Sequence, residues 1–248
     1  APAPGPEFVL LTYNVNYGLA GDGATVAAIR GSGADLVLLQ ETNPAWEAAL
    51  AGLRDEYPYQ EYVHRGAAGG MAVLSRRPFE TRRVLEPPPG GWFPALLVRA
   101  ATPLGPVEAL DVHLRPQLGE DGGVVSGFLE TPPIRVAEIE RYLDALDPAV
   151  PRILAGDFNE QPGSAALEAA AERGFLRVGI DEDTWHWETS LVTLRRSFDH
   201  VLHDARLAPI EGRVLEAGRS DHWPVRVRFG RAAGAADPEE DRTSRPSS

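Results

Sequence analysis

A layered α/β or α+β sandwich is the fold class that the sequence predicts, and three observations predict it. Short apolar runs of strand length alternate with stretches of helical periodicity. The strand-like runs outnumber the helical ones, which favours sheets packed in layers over a helical bundle. The chain has 248 residues, 43% of them hydrophobic and 24% charged, enough for one sizeable core.

The elements follow in order along the chain. Residues 8–13 and 35–39 are apolar runs of buried-strand type, separated by a helical stretch at 24–30. A second helix is expected at 44–53, opening on Pro44, where a first-turn proline does no harm. Strands are predicted at 71–75, 94–100 and 107–112. The best-defined helix spans 133–146, with Ile134, Ala137, Ile139, Leu143 and Leu146 on or near one face and Arg and Glu elsewhere. A strand at 152–155 precedes a helix at 164–173, where Ser164 is a plausible N-cap and Gly174 follows the end. Strands at 198–203 and 225–229 close the domain.

Two long connections stand out, 86–93 with its Pro-Pro-Pro-Gly-Gly-Trp-Phe and 115–131 with four glycines. Loops of such length are more often functional than idle, and the second is expected to act as a flexible cover. The chain reads as one domain over 7–230 with flexible ends at 1–6 and 231–248, where Ala, Gly, Pro, Ser and acidic residues show no apolar period. No apolar run approaches the ~18 residues a membrane helix needs. The chain opens Ala1-Pro2-Ala3-Pro4 without Met, which suggests a removed upstream segment and export, and a monomer is the expected state.

Charge and composition narrow the chemistry. The formal net charge is −12, the opposite of what phosphate-tracking nucleic-acid binders carry. A nuclease survives this test, because a bound divalent cation can supply local positive charge. With no cysteine, thiolate and disulfide chemistry are absent. There is no Gly-x-Ser-x-Gly elbow, no Gly-x-Gly-x-x-Gly and no P-loop.

Six motifs place polar residues at the ends of apolar strands, where ligands of layered α/β proteins gather. They are Thr12-Tyr13-Asn14-Val15-Asn16, Leu39-Gln40-Glu41, Asp111-Val112-His113-Leu114-Arg115, Gly156-Asp157-Phe158-Asn159, Ser197-Phe198-Asp199-His200 and Ser220-Asp221-His222-Trp223-Pro224. Phosphate-ester hydrolysis requires deprotonation of water, stabilisation of a pentavalent phosphoryl group and neutralisation of a leaving oxygen. Carboxylates that hold Mg²⁺, an Asp-held His and neutral amide donors meet those needs. Taken singly, each motif also reads as a strand cap, a turn or a solvated strand end.

In combination and in this order, together with Gly70-Met71-Ala72-Val73-Leu74-Ser75-Arg76, the motifs resemble the endonuclease/exonuclease/phosphatase superfamily, the DNase I-like hydrolases. The resemblance runs from about residue 10 to 229. It implies a four-layer α/β sandwich: two packed mixed β-sheets flanked by helices, with the site at one mouth. It implies Mg²⁺ or Mn²⁺ as cofactor, with Glu41, Asn14, Asn16 and Asp221 as the metal set. His222 is implied as the catalytic imidazole and Asp199 as its orienting carboxylate. Asp157 is an alternative activator of water. Asn159 and His113 are implied as phosphoryl donors that bind substrate and assist catalysis, with His113 also able to protonate the leaving group. Arg115 is added as a clamp on a phosphate oxygen.

Departures from the pattern refine the expectation. His113 stands where base-excision repair endonucleases use an aromatic-rich motif. Asn16 is neutral where many members carry an acid, which weakens a second metal site. The resemblance implies a phosphodiesterase or nuclease acting on nucleic acid, or on a small or lipid phosphodiester. The alternatives are a phosphomonoesterase or sphingomyelinase-like lipid phosphodiesterase, and a non-catalytic binding protein on the same fold. Trp92, Phe93, Trp185 and Trp187 are expected to pack in the core or rim, or else to stack a base or touch lipid.

Overall fold

Every apolar run singled out in the sequence forms a strand. A computed structural model describes residues 5–119, 122–189 and 192–233, without the side chains of Val124 and Phe128. Most of the two expected flexible ends lies outside the described residues.

In chain order the elements are β1 (Phe8–Asn14), α1 (Gly23–Gly31), β2 (Leu36–Gln40), α2 (Pro44–Leu50), β3 (Tyr59–Val63), β4 (Met71–Ser75) and β5 (Phe79–Leu85). Next come β6 (Ala95–Thr102), β7 (Gly105–His113), α3 (Val124–Glu130), α4 (Pro132–Leu143), β8 (Arg152–Asp157) and α5 (Ala165–Glu172). The chain ends with β9 (Leu176–Arg177), β10 (Trp185–Glu188), β11 (Thr193–Arg196), β12 (Asp199–His203), β13 (Leu207–Val214) and β14 (Val225–Arg231).

Two six-stranded sheets carry the architecture, ordered β13-β14-β1-β2-β4-β3 and β5-β6-β7-β8-β12-β9, and β10-β11 forms a separate hairpin. Both large sheets are mixed. The pairs β1–β2 and β7–β8 are parallel and the others antiparallel. Strand alternation assigns side chains to layers. Leu10, Leu36 and Leu38 of one sheet meet Val107, Ala109 and Ile153 of the other in a central core. Their sequence neighbours face outward: Leu11, Val37 and Leu39 pack with Ile29, Trp46 and Leu50 of α1 and α2. On the far side, Leu110, Val112 and Leu154 pack with Ile139, Tyr142 and Leu167 of α4 and α5. The result is the expected four layers: helices, sheet, sheet, helices.

Local chemistry sets the helix ends. Asp22 caps α1 by accepting from Thr25 N at 2.7 Å, and Asn43 caps α2 by accepting from Ala45 N and Trp46 N. Ser164 occupies the N-cap position of α5, but its hydroxyl donates back to Gln161 O at 2.6 Å and does not cap the helix. The last turn expected for the second helix is a 3₁₀ turn, Ala51–Leu53.

Two expectations are corrected. The 115–131 connection is not all loop, since α3 lies within it, and residues 120 and 121 lie outside the described residues. The buried stripe of α4 is Arg135, Glu138, Ile139, Tyr142 and Leu143. Charged side chains therefore occupy part of the face that the apolar pattern had assigned to aliphatic residues. Arg135 tolerates burial because it is paired, its Nε donating to Glu160 Oε1 at 2.7 Å, whereas Glu138 has one backbone donor, Arg115 N at 2.9 Å from Oε2.

Candidate active site

Strand direction brings the motifs together. Asn14 ends β1, Gln40 ends β2, His113 ends β7 and Asp157 ends β8. Asp199 begins β12, which runs antiparallel to β8 with Asp199 paired to Asp157. His222 lies just before β14, which runs antiparallel to β1. Four strand ends and two strand starts thus share one mouth of the sandwich.

Asp157 is the hub of that mouth. Its Oδ2 accepts from Asn14 Nδ2 at 3.1 Å and lies 3.5 Å from His113 Nε2 and 3.6 Å from His222 Nε2. The other oxygen, Oδ1, accepts from Asn159 N at 2.9 Å. Asn14 Nδ2 reaches a second carboxylate as well, donating to Glu41 Oε1 at 3.0 Å. Glu41 Oε2 accepts from Tyr17 N at 3.2 Å. One amide nitrogen therefore lies between two carboxylates from different sheets.

On the other side of Asp157 stands an Asp–His pair. His222 Nδ1 and Asp199 Oδ2 are 2.8 Å apart, and both residues are buried. Burial alone would depress the imidazole, but the charges of Asp199, then Asp157, and the Asp199 hydrogen bond outweigh it and push His222 up to about 10. Those charges favour the imidazolium. Burial pushes the Asp199 carboxyl up, against the pull of that imidazolium. Ligand atoms of Asp157, Asp199 and His222 all lie within 4.8 Å of one another.

Asn16 and Asp221 form a pair of their own beside this cluster, with Asn16 Nδ2 donating to Asp221 Oδ1 at 2.9 Å. Burial opposes ionisation of Asp221, but the His222 charge and the donors Asn16 and Trp185 hold it below the usual carboxylate range. Ser220 ties the pair to β1 by donating to Asn14 O at 2.7 Å. The expected metal set accordingly appears as two hydrogen-bonded pairs, Asn14 with Glu41 and Asn16 with Asp221. Among the described residues only four non-glycine positions have positive φ, and three of them are Asn16 (59°), Glu41 (62°) and Asn159 (52°). Strained backbone of this kind concentrates at functional sites.

His113 is stacked on Phe93, with ring centroids 4.3 Å apart, and its Nδ1 lies 3.3 Å from Ala68 O. Asn159 Nδ2 donates to Leu114 O at 3.0 Å. Arg115 is placed differently from the expectation of a phosphate clamp. Its guanidinium is buried, donates to Gly90 O and Leu118 O, and lies 3.4 Å beneath the Trp92 ring. These contacts fasten the 86–93 and 115–119 segments to each other. Of the other histidines, His186 adjoins the cluster through its backbone N–H, which donates to Asp221 O at 2.8 Å. His200 Nε2 donates to Glu160 O at 2.8 Å, and burial lowers it to about 4, so it is neutral.

Two supporting residues escaped the sequence reading. Thr184 is fully buried and its hydroxyl oxygen accepts from Phe198 N and Asp199 N, fixing the start of β12. Nothing in the local sequence signals that role. Trp185 was weighed only for packing or stacking, yet its indole N–H donates to Asp221 Oδ2 at 3.1 Å.

Residues 11–222 match the sequence pattern of the endonuclease/exonuclease/phosphatase family. Several solved structures are similar in fold. An endonuclease/exonuclease/phosphatase from Beutenbergia cavernae DSM 12333 aligns at TM-score 0.64 and 23% identity, covering 93% of this chain and 72% of that one. A truncated TDP2 from Caenorhabditis elegans aligns at 0.70 and 16% identity, covering 90% of this chain and 97% of that one. Beta toxin 275-280 from Staphylococcus aureus aligns at 0.66 and 15% identity, covering 89% of this chain and 99% of that one. No curated protein sequence matches the chain.

Proposed function

The chain belongs to the endonuclease/exonuclease/phosphatase family, and on that premise we propose that it is a divalent-cation-dependent phosphodiesterase that hydrolyses its ester by in-line attack of water. The observation that carries this reading is the convergence on Asp157 Oδ2 of Asn14, His113 and His222, with Glu41 one hydrogen bond further on.

The residues present fit a hard cation. Glu41 and Asp221 offer carboxylate oxygens, each beside a neutral amide, Asn14 or Asn16, whose nitrogen now faces it and whose oxygen would have to turn inward to join them, the donor chemistry that Mg²⁺ or Mn²⁺ prefers. Such an ion supplies charge neutralisation at the phosphoryl and leaving oxygens. The chain's own residues do the rest. His222, held by Asp199 at 2.8 Å, is the imidazole that donates a hydrogen bond or a proton towards the phosphoryl group. Asp157, facing both His113 and His222, is the carboxylate placed to take a proton from water. His113, beside the same Asp157 oxygen, and Asn159 are the remaining groups that orient the ester.

A substrate of modest size suits the net charge of −12 better than long duplex DNA does. One related structure, of D. rerio TDP2, is complexed with a single strand DNA product, which keeps single-stranded nucleic acid among the substrates to test. A lipid phosphodiester is the second reading, favoured by the β10–β11 hairpin. That hairpin exposes Trp187, Val192 and Leu194 and is bonded to the site through His186 N and Asp221 O at 2.8 Å.

The test is hydrolysis of bis-p-nitrophenyl phosphate, plasmid and single-stranded DNA, and sphingomyelin, with Mg²⁺, with Mn²⁺ and with EDTA. Metal-dependent turnover is expected, with His222→Ala cutting it sharply and Glu41→Ala lowering the apparent metal affinity. Absence of cleavage of every substrate, or full activity in both variants, overturns the assignment.

A further inference from the structure

One polar contact crosses the apolar interior between the two sheets, directly below the site. Gln40 ends β2 and Asp111 lies on β7, and both are wholly inaccessible to solvent. They share their strand faces with Leu36, Leu38, Val107 and Ala109, residues of the central core. Gln40 Nε2 donates to Thr12 Oγ1 at 3.0 Å and to Asp111 Oδ1 at 2.5 Å. The remaining oxygen of each group, Gln40 Oε1 and Asp111 Oδ2, is buried without a hydrogen-bond partner.

Two orphaned oxygens on groups already joined by a short bond point to a single missing proton. A carboxylate offers only acceptors, so an ionised Asp111 can satisfy neither itself nor the amide oxygen. A carboxylic acid can satisfy both. It accepts from the amide N–H through one oxygen and donates its own O–H to the amide carbonyl through the other. Leaving both oxygens unpaired in a core, with an uncompensated charge beside them, is the costly alternative.

The surroundings support the neutral form. Burial pushes the Asp111 carboxyl well above its ordinary range, against hydrogen bonds from the Gln40 side chain and the Leu39 backbone. The charged or titratable groups on the strands packed around it are Glu41 just past β2, Arg99 on β6, Glu108 and His113 on β7, and Arg152 and Asp157 on β8. None of these is among the causes of the shift.

We propose that Asp111 is a neutral carboxylic acid that closes a two-bond acid–amide pair with Gln40, fastening β7 to β2 under the mouth and acting as a positioning residue for Glu41 and His113. Gln40 immediately precedes Glu41, whose backbone turns into the left-handed region. Asp111 lies two residues before His113 on the same strand face. The pair thus fixes the spacing between the carboxylate of one sheet and the imidazole of the other. The positioning role rests on the site assignment above, whereas the protonation state does not.

The test combines infrared spectroscopy with kinetics on the full chain. A protonated-carboxyl band at pH 7 is expected in the wild type and lost in Asp111→Asn, the difference separating Asp111 from every other acid. An asparagine can keep both bonds to Gln40, so Asp111→Asn is expected to hold kcat near wild type and to remain active at alkaline pH where the wild type fails. Asp111→Leu is expected to lose on the order of 10- to 100-fold in kcat, with KM little changed. Absence of a protonated-carboxyl difference at pH 7, or an Asp111→Asn as impaired as Asp111→Leu, overturns the proposal. Should Asp111→Leu fail to fold, the spectrum and Asp111→Asn decide alone. A protein inactive on every ester but showing the band would retain the pair and lose only the functional assignment.

Discussion

Arg135 gives the sharpest test of how the site is held from behind. Its side chain has only 2% relative exposure and donates to three partners: Glu160 Oε1 at 2.7 Å, Arg115 O at 2.9 Å and Thr131 Oγ1 at 2.8 Å. Glu160 is equally buried, directly follows Asn159, and its other oxygen accepts from Ala166 N at the start of α5. Arg135→Met fills most of the volume but strips Glu160 of its cation. Breaking a buried pair in this way costs ~3–5 kcal/mol, because a lone charge remains in the core. For a protein of this size that is a fall of roughly 6–20 °C in Tm. The assay is denaturant unfolding of Arg135→Met, Glu160→Gln and the double variant Arg135→Met/Glu160→Gln, at constant m. The double variant should recover a good part of the loss, since the stranded charge is then gone. A cost below ~1 kcal/mol in the single variant, or a double variant that falls by the sum of its parts, would refute the reasoning.

Two further predictions follow from the same layer and from the strand beneath the site. Burial pushes Glu138 up to about 7 despite the Arg115 backbone donor and the nearby Arg135 charge. A carboxyl raised in the folded state contributes stability that is fully present below its ordinary 4.5 and is lost as pH rises through about 7. Unfolding free energy should therefore drop across that window by an amount on the order of 3 kcal/mol, and Glu138→Gln should flatten the drop. An unchanged slope in Glu138→Gln would remove this account. Gly156, just before Asp157, has φ +146°, and a Cβ there would meet Val112 O at 1.9 Å. Gly156→Ala should cost ~2 kcal/mol or more and lower turnover by parting β8 from β7, read by thermal unfolding and kcat. A neutral outcome would mean that the two strands can separate without moving the site.

What the sequence discloses about this fold depends on where each strand lies. All eight strands read from apolar runs are present, and each is buried along most of its length. The six that escaped are the four sheet edges, β3, β5, β9 and β13, and the hairpin β10–β11. Edge strands such as β5, Phe-Glu-Thr-Arg-Arg-Val-Leu, are largely exposed and carry charges that blunt pairing with another chain, so no apolar signal marks them. Helix α4 misled for a related reason. Arg135 and Glu138 are polar in sequence yet buried in the fold, because partners distant along the chain hydrogen-bond to them. The convergence of the motifs on one mouth of the sandwich was legible through their order along the chain. Thr184 and Trp185 were not, because a hydroxyl that holds two backbone amides and an indole N–H that holds Asp221 have no local pattern. Arg115 is a basic residue in a conspicuous position whose guanidinium donates to the loop carbonyls of Gly90 and Leu118, contacts that no local pattern discloses.

The Gly-Met-Ala-Val-Leu-Ser run and the Gln-Glu motif stand 30 residues apart in sequence, yet each accounts for the other. Asn tolerates a left-handed backbone, so Asn16 and Asn159 hold positive φ at modest strain. Glutamate has no such tolerance, and Glu41 at φ 62° must be held there by its surroundings. The chain just past it supplies the constraint, with Thr42 N donating to Gly70 O at 3.0 Å. In return Thr42 O lies so close to Gly70 that a Cβ would meet it at 1.8 Å, so only glycine fits at the start of β4. β4 is then aligned antiparallel on β2 with Met71 opposite Gln40. The glycine that opens one motif therefore permits the strained turn that aims the carboxylate of the other. Gln40, at the same step of the sheet, carries that constraint across the core to Asp111 and the second sheet.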